Sequence, residues 1–438
     1  MSGDYIIVPG CNDSNRGDQA LIWETMRLCK DAGFSGNYYM LSDENVIQSR
    51  NKGIIPLKLI LPHPSSKRIK NHNNFKYGYW IKVQWGIVSV IDLVKALPVC
   101  AINRYRFKDM IFSDDQKKTL EVFRRAKAVF VKGGGFLHAY SGGLIESYKI
   151  FFFLYHINLS LSMGIPVYIL PNSFGPFEGK KVKDMIYSCL RKCQVVTARE
   201  SISQEMLKSV GISSEVFFDL AFHMGTEDMS ERLKIKEMLL NNGIPIGEKK
   251  CVAITVRPYR FAKVKSEAMY LKYKEAILYL FQWLVSNNYF PCFVEHVYDR
   301  NAHESDRICI DELRKMIPSD IKYGVISNKN FNCHKMKSIY SQFDYTVGTR
   351  FHSVIFSISA GVPSIAITYG GNKGRGVMKD IGLEDYSMPI EDISGEKLVK
   401  MFRMLVENKD EVGNKISEIM KRAKCDREKL ISLLSKYA

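Results

Sequence analysis

The residues best suited to chemistry lie together at Val347-Gly348-Thr349-Arg350-Phe351-His352, where an apolar run ends in an arginine and a histidine. If the run is a strand and a helix follows, Arg350 and the first exposed amides of that helix form an anion site. His352 beside them is placed to move a proton. A second glycine-rich turn, Tyr369 through Gly376, follows the next apolar run and carries Lys373 and Arg375, two cations able to close over the same anion. Arg199, in Thr197-Ala198-Arg199-Glu200-Ser201, also stands directly after an apolar run. It either repeats the geometry of Arg350 or pairs with Glu200 or another nearby carboxylate.

Further candidates for contacts to a donor or an acceptor follow other apolar runs. Asp18 ends the loop 12–18, Gly134 sits in the triplet 133–135, His138 comes just after it, and Ser173 opens Ser173-Phe174-Gly175-Pro176. Glu295, His296 and Asp299 offer acid, base or hydroxyl contacts. No Glu/His spacing suited to a metal accompanies them, so no metal or other cofactor is expected.

These residues need elements that deliver them to one edge. Residues 4–9 form an apolar run, and a helical pattern opens at Asp18 with Leu21, Ile22, Leu28 and Cys29 on one face and Gly33 at its C′ position. The same grammar recurs: a strand at 128–132, a long helix from the glycines to residue 163, a strand at 165–170, a loop at 171–176, and strands at 194–198 and 215–221. In the second half, strands are expected at 251–256, 291–297, 345–348 and 363–369, with helices between. The fold class is therefore α/β, with two facing Rossmann-like domains of the GT-B kind and the active site in the cleft between them. Residues 1–225 form the first domain, 226–249 a charged connection containing Asn241-Asn242-Gly243, and 250–438 the second domain with terminal helices.

Residues 51–112 fit this alternation poorly. Lys67, Arg68, Lys70, Lys76, Lys82, Arg104, Arg106 and Lys108 mingle there with Phe75, Tyr77, Tyr79, Trp80 and Trp85. They read as an elaboration, facing an acceptor or a membrane or simply packed on the first domain.

The chain has 63 Lys and Arg against 46 acidic residues, a formal charge of +17 in 438 residues. Such a surface attracts anions. Nucleic acid is not the expected partner, because no zinc-finger spacing, RNP motif or basic heptad region occurs. The ten cysteines form no CxxC, as expected for free thiols in a cytoplasmic protein. From the opening residues no secretory signal is expected. The most apolar stretch, 87–101, is interrupted by Asp92, Lys95 and Pro98, leaving peripheral contact with an anionic membrane but not a span.

Taken in order, GCNDSNRGDQAL, VFVKGGGFL, LPNSFGPF, TARESIS and VGTRFHSVIFSISAGVPSIAITYGGNK resemble the polysaccharide pyruvyl transferase family over most of residues 5–375. The first loop is longer than the family's usual one, so Asn12 and Asn15 take no role from it. The resemblance implies a GT-B fold and transfer of the three-carbon unit of phosphoenolpyruvate to two hydroxyls of a sugar, as a cyclic ketal. It places the donor on Arg199, Arg350 and Phe351 and makes His352 the acid that protonates the enol carbon. The acceptor would be a saccharide, lipid-linked or polymeric, met at the inner face of the cell membrane. Two other readings stay open: a GT-B glycosyltransferase using a nucleotide sugar, and a non-catalytic protein that binds polyanions or a membrane surface through residues 51–112.

Overall fold

The computed structural model describes residues 3–42, 46–62, 79–102, 112–225, 227–259, 266–298, 305–370 and 373–438, with the side chains of 79, 81, 82, 85, 97–102 and 373 outside that description. Of the residues noted in the 51–112 elaboration, Lys67, Arg68, Lys70, Phe75, Lys76, Tyr77, Arg104, Arg106 and Lys108 lie outside the described residues.

Two parallel sheets organise the chain. The first contains β1 (Gly3–Val8), β2 (Gly36–Leu41), β3 (Ile54–Leu57), β4 (Ala126–Val131), β5 (Gly134–Ala139), β6 (Val167–Phe177), β7 (Val195–Ala198) and β8 (Glu215–Val216). Their order is β3-β2-β1-β4-β6-β7-β8, with β5 also paired to β6. The second sheet contains β9 (Lys250–Thr255), β10 (Tyr289–Val294), β11 (Gly324–Ile326), β12 (Tyr345–Gly348), β13 (Ser364–Thr368) and β14 (Ser387–Pro389), in the order β11-β10-β9-β12-β13-β14. Helices cover both faces, which explains why strands such as VAIT and AVFV are apolar throughout rather than alternating.

The helix Arg16–Asp31 shows how local sequence sets an element. Asn15 caps it, accepting from the amides of Gly17 and Asp18, and the helix begins two residues before the expected Asp18. At its end Gly33 takes φ +102°, and Phe34 N donates to Cys29 O at 3.0 Å, the bond that closes a Schellman turn.

Three expectations change. The glycines 133–135 do not open a long helix: they lead into β5, and the helix begins only at Leu144 and runs to Ser162. Leu137 and Ala139 are buried while Phe136 and His138 are half-exposed, a period-2 pattern that favours a strand. Ser173 through Pro176 is not a loop but part of β6, which runs 11 residues to Phe177. After β8 the chain turns into a short 3-10 helix, Leu220–His223, rather than continuing as strand to residue 221.

The segment 226–249 carries the helix Met229–Asn241. The last helix, Lys409–Ser435, returns to the first domain, where Asp426 accepts from Phe218 N at 2.8 Å and Arg427 pairs with Asp31. One apolar core runs through both sheets, from Tyr5 and Phe130 to Val252 and Val347. The inner edges are joined by Tyr298 N to Ser14 O at 3.0 Å, Cys333 N to Gln19 Oε1 at 2.8 Å and Arg16 Nη2 to Asn328 O at 2.8 Å.

Candidate active site

Between the sheets' carboxyl edges lies a cavity of about 300 Å³. The first domain lines it with Asn15, Asp18, Lys132, Gly134, Phe136 and Arg199; the second contributes Arg257, His296, Arg350, Phe351, His352 and Tyr369. Four permanent cations therefore face one carboxylate, Asp18, among the described lining residues. Such a cavity favours a small anion.

Arg350 and His352 sit where the strand-to-helix reading put them. Arg350 is the N-cap of the helix Phe351–Ser359, with its φ and ψ at −81° and 107°. Its turn is clamped: Thr349 N donates to Thr255 O at 2.9 Å, Tyr273 Oη meets Thr349 Oγ1 at 2.9 Å, and Ser353 Oγ donates to Arg350 O at 2.6 Å. The guanidinium is aimed by Asp306, whose Oδ1 accepts from Nε at 2.7 Å while its Oδ2 accepts the amides of His296 and Val297, both at 2.9 Å.

Arg199 enters from the opposite side on the end of β7 and is buried. Ser173 Oγ accepts from its Nε at 2.6 Å, and Asp219 from its Nη1. Glu200 is farther away, at 3.7 Å. The pairing alternative is thus real, but the partner is Asp219, and Nη2 is left buried without a hydrogen-bond partner. An unsatisfied buried guanidinium nitrogen is costly and marks a place for an incoming acceptor.

Asp219 joins the halves of the site. The same Oδ2 that takes Arg199 lies 3.7 Å from His352 Nε2, while Oδ1 accepts Ala221 N at 2.9 Å. Burial pushes this carboxyl upward, but His352, Arg199 and the Ala221 amide outweigh it and hold it well below the usual carboxylate range. It remains ionised. Gly17, at the start of the helix Arg16–Asp31, provides the other wall: a Cβ there would fall 2.3 Å from His352 Nδ1. The imidazole of one domain is thus wedged against the helix start of the other.

Other expectations divide. Asp18, Gly134 and His296 line the cavity. Asp18 is bound by Lys132 and by Asn15 Nδ2 at 2.8 Å. His296 is held well below its ordinary value by burial first, then by His352, Arg350 and Arg16, so its ring is neutral. Its Nδ1 meets Tyr340 Oη at 3.2 Å, and its Nε2 is without a hydrogen-bond partner. Ser173 does not line the cavity; it holds Arg199 and donates to Glu200 at 2.7 Å. Glu295 is removed altogether: its carboxylate is consumed by Arg307 at 3.0 Å, Ser327 at 2.7 Å and the Asn328 amide at 3.2 Å. His138 also lies off the cavity, between Gly135 O at 3.2 Å and Lys149 Nζ at 3.3 Å. Asp299 and the Lys373 side chain fall outside the described residues. In the turn 369–376 the helix Lys373–Asp380 begins, and Arg375 is exposed. Its glycines serve packing: a Cβ on Gly376 would fall 2.5 Å from Glu200 Cγ.

Sequence reasoning passed over Arg257, Lys132, Asp219 and Gly17. Arg257 follows β9 closely, as Arg199 and Arg350 follow their strands, and lies 4.4 Å from the Tyr369 ring centroid. Lys132 ends the β4 run. Asp219 is a single acid inside Phe217-Phe218-Asp219-Leu220-Ala221, the kind of residue an apolar run tolerates only when paired.

The sequence profile of the polysaccharide pyruvyl transferase family matches residues 15–371. The chain is 22% identical over 320 residues to the amylovoran biosynthesis protein AmsJ of Erwinia amylovora, covering 72% of this chain and 74% of that one. Among solved structures it is similar to Anabaena Alr3699/HepE, in complex with UDP and glucose, at TM-score 0.56 and 9% identity over 100% and 99% of the two chains. It is also similar to the UDP-GlcNAc 2-epimerase of Neisseria meningitidis, bound to UDP-GlcNAc, at TM-score 0.53 and 10% identity over 99% and 100%. At these identities the structural likeness speaks for the fold alone, two Rossmann-like domains of the GT-B type.

Proposed function

The chain belongs to the polysaccharide pyruvyl transferase family, and from that membership we propose that it moves the pyruvyl unit of phosphoenolpyruvate onto two hydroxyls of one sugar in a cell-surface polysaccharide or its lipid-linked precursor. The observation that carries the reading is the cavity itself: Arg199 and Arg350, from different domains, flank His352, with Asp219 between Arg199 and the imidazole.

In this reading Arg199, Arg350, Arg257 and Lys132 hold the donor's phosphate and carboxylate. The imidazolium of His352, stabilised by Asp219, gives its proton to the terminal enol carbon, and positive charge develops at the central carbon. A sugar hydroxyl forms its C–O bond there and loses its proton. The C–O bond to phosphate then breaks, and the neighbouring hydroxyl adds at the same carbon and loses its proton, closing the ketal. Phe351 supplies an apolar wall beside the three-carbon unit. The scheme calls on no metal or redox cofactor.

The test is to incubate protein, phosphoenolpyruvate and candidate saccharides and to follow inorganic phosphate and acceptor mass. Phosphate release that requires both substrates, with the acceptor heavier by one pyruvylidene unit, supports the reading. Consumption of a nucleotide sugar with phosphoenolpyruvate untouched would replace it with the glycosyltransferase alternative.

A further inference from the structure

The helix Tyr79–Ile102 faces the wrong way for a soluble protein. Trp80, Ile87, Val90, Ile91 and Val94 are between 48% and 74% exposed. At about 100° per residue, positions 80, 83, 87, 90, 91 and 94 fall in one arc of roughly 100°. The inward side carries Val88, Asp92 and Ala96, all buried. An amphipathic surface helix ordinarily buries its apolar stripe; this one turns it out.

The stripe is not isolated. The helix Leu144–Ser162 packs alongside, with Tyr155 Oη donating to Ala96 O at 3.0 Å, and begins with Leu144 and Ile145, 83% and 85% exposed. Cations border this surface. Lys95 is exposed on the first helix, and Lys180, Lys181 and Lys183 are exposed at the start of the helix Lys180–Leu190. That start touches the loop before Leu144, since a Cβ on Gly142 would fall 2.9 Å from Gly179 Cα. The sequence continues the pattern: 63–78 holds Lys67, Arg68, Lys70 and Lys76 with no acid, and 103–111 holds Arg104, Arg106 and Lys108 against Asp109.

We propose that this face docks on an anionic lipid surface, the helix Tyr79–Ile102 lying in the plane of the interface with its apolar stripe among the acyl chains. Exposed apolar side chains beside lysines, here outnumbering the neighbouring exposed Glu178 and Asp184, are a pattern that binds there. A second copy fits worse, because joining two such faces brings like charges together. No helix among the described residues is long and apolar enough to cross a membrane, so the contact is peripheral. The patch also borders the cavity: Tyr140, four residues before Leu144, packs its hydroxyl against Gly370, next to the lining residue Tyr369. Docking would hold the cavity mouth near acceptors carried on lipid, a consequence that rests on the transferase reading; the docking itself does not.

The test is co-sedimentation of the full chain with phosphatidylcholine vesicles, with and without phosphatidylglycerol, at low and high salt. Binding should require the anionic lipid and weaken with salt. The triple variant Ile87→Ser, Val90→Ser, Val94→Ser should lose binding about tenfold or more, and Lys180→Glu with Lys181→Glu should weaken it further toward the neutral-vesicle level. Because these side chains are exposed, melting temperature and turnover on a water-soluble acceptor should be unchanged. Failure to sediment with anionic vesicles, or equal sedimentation of the triple variant, would overturn the proposal. So would a wild-type dimer in analytical ultracentrifugation that the triple variant dissociates, since a second copy would then own the face. Vesicle binding is read without turnover, so such a failure leaves the transferase reading untouched.

Discussion

Asp219→Asn is the sharpest perturbation of this site. The substitution keeps the shape and leaves an amide oxygen for the Ala221 amide, but removes the charge shared by Arg199 and His352. Two charges 3.7 Å apart attract by roughly 4 kcal/mol at an effective dielectric of about 20. The imidazole is partly open to solvent, which reduces this to about 1–3 kcal/mol for a charged ring, and losing the carboxylate that orients both groups should lower kcat about tenfold. Arg199, still buried, loses its counter-ion, and breaking a buried pair costs on the order of 3 kcal/mol of stability. Initial rates of phosphate release, normalised to folded protein, should show lower kcat with the donor KM changed less. A lower melting temperature with unchanged kcat would refute the argument and leave Asp219 as a purely structural partner of Arg199.

Other consequences follow from the same geometry. His352→Gln should still be stabilised thermally by phosphoenolpyruvate but lose about a hundredfold or more of turnover, checked by pairing thermal shift with phosphate release. Arg257→Ala should raise the donor KM about tenfold with little change in kcat, since it sits on the cavity wall against Tyr369. Gly17→Ala should displace the His352 ring and cut kcat about tenfold or more while sparing the melting temperature of either sheet's core, because the added methyl occupies the imidazole's place. Burial holds His156 at about 3 against its ordinary 6.5, its Nε2 accepting the Ile60 amide at 3.2 Å. The unfolded chain therefore binds more protons between those values, so stability is full above the upper one and falls as pH drops below it. One pH unit below, the loss is about 1.4 kcal/mol, and His156→Gln should narrow the melting-temperature difference between about pH 7.5 and 5.5.

The parallel sheets were legible because strands covered on both faces are apolar without alternation and end in glycine, arginine or polar turns. Arg199, Arg350 and His352 could be read from that punctuation alone. What escaped is instructive. β5 lies beside β6 where Gly134, at φ +141°, redirects the chain, and no local propensity announces that pairing. Glu295 looked available beside His296, yet Arg307, 12 residues on, and Ser327, 32 residues on, claim it through tertiary contacts. Asp219 was hidden for the opposite reason: its value arises only when β7 from one domain and the helix start at Phe351 from the other converge on it.

That convergence decides what kind of site this is. Three of the groups at the cavity are fixed by residues that do not line it: Arg350 by Asp306, Arg199 by Ser173 and Asp219, His352 by Gly17 and Asp219. The carboxylates are spent on orientation, so the cavity keeps a surplus of positive charge in a wall that cannot easily relax. Preorganised charge of this kind lowers a barrier without reorganisation at the moment of reaction. It also ties the chemistry to the closed arrangement of the two sheets. Any change that parts Arg16 from Asn328 or Gln19 from Cys333 would separate His352 from Asp219 before it unfolded either domain, and turnover would fall while both sheets stayed intact.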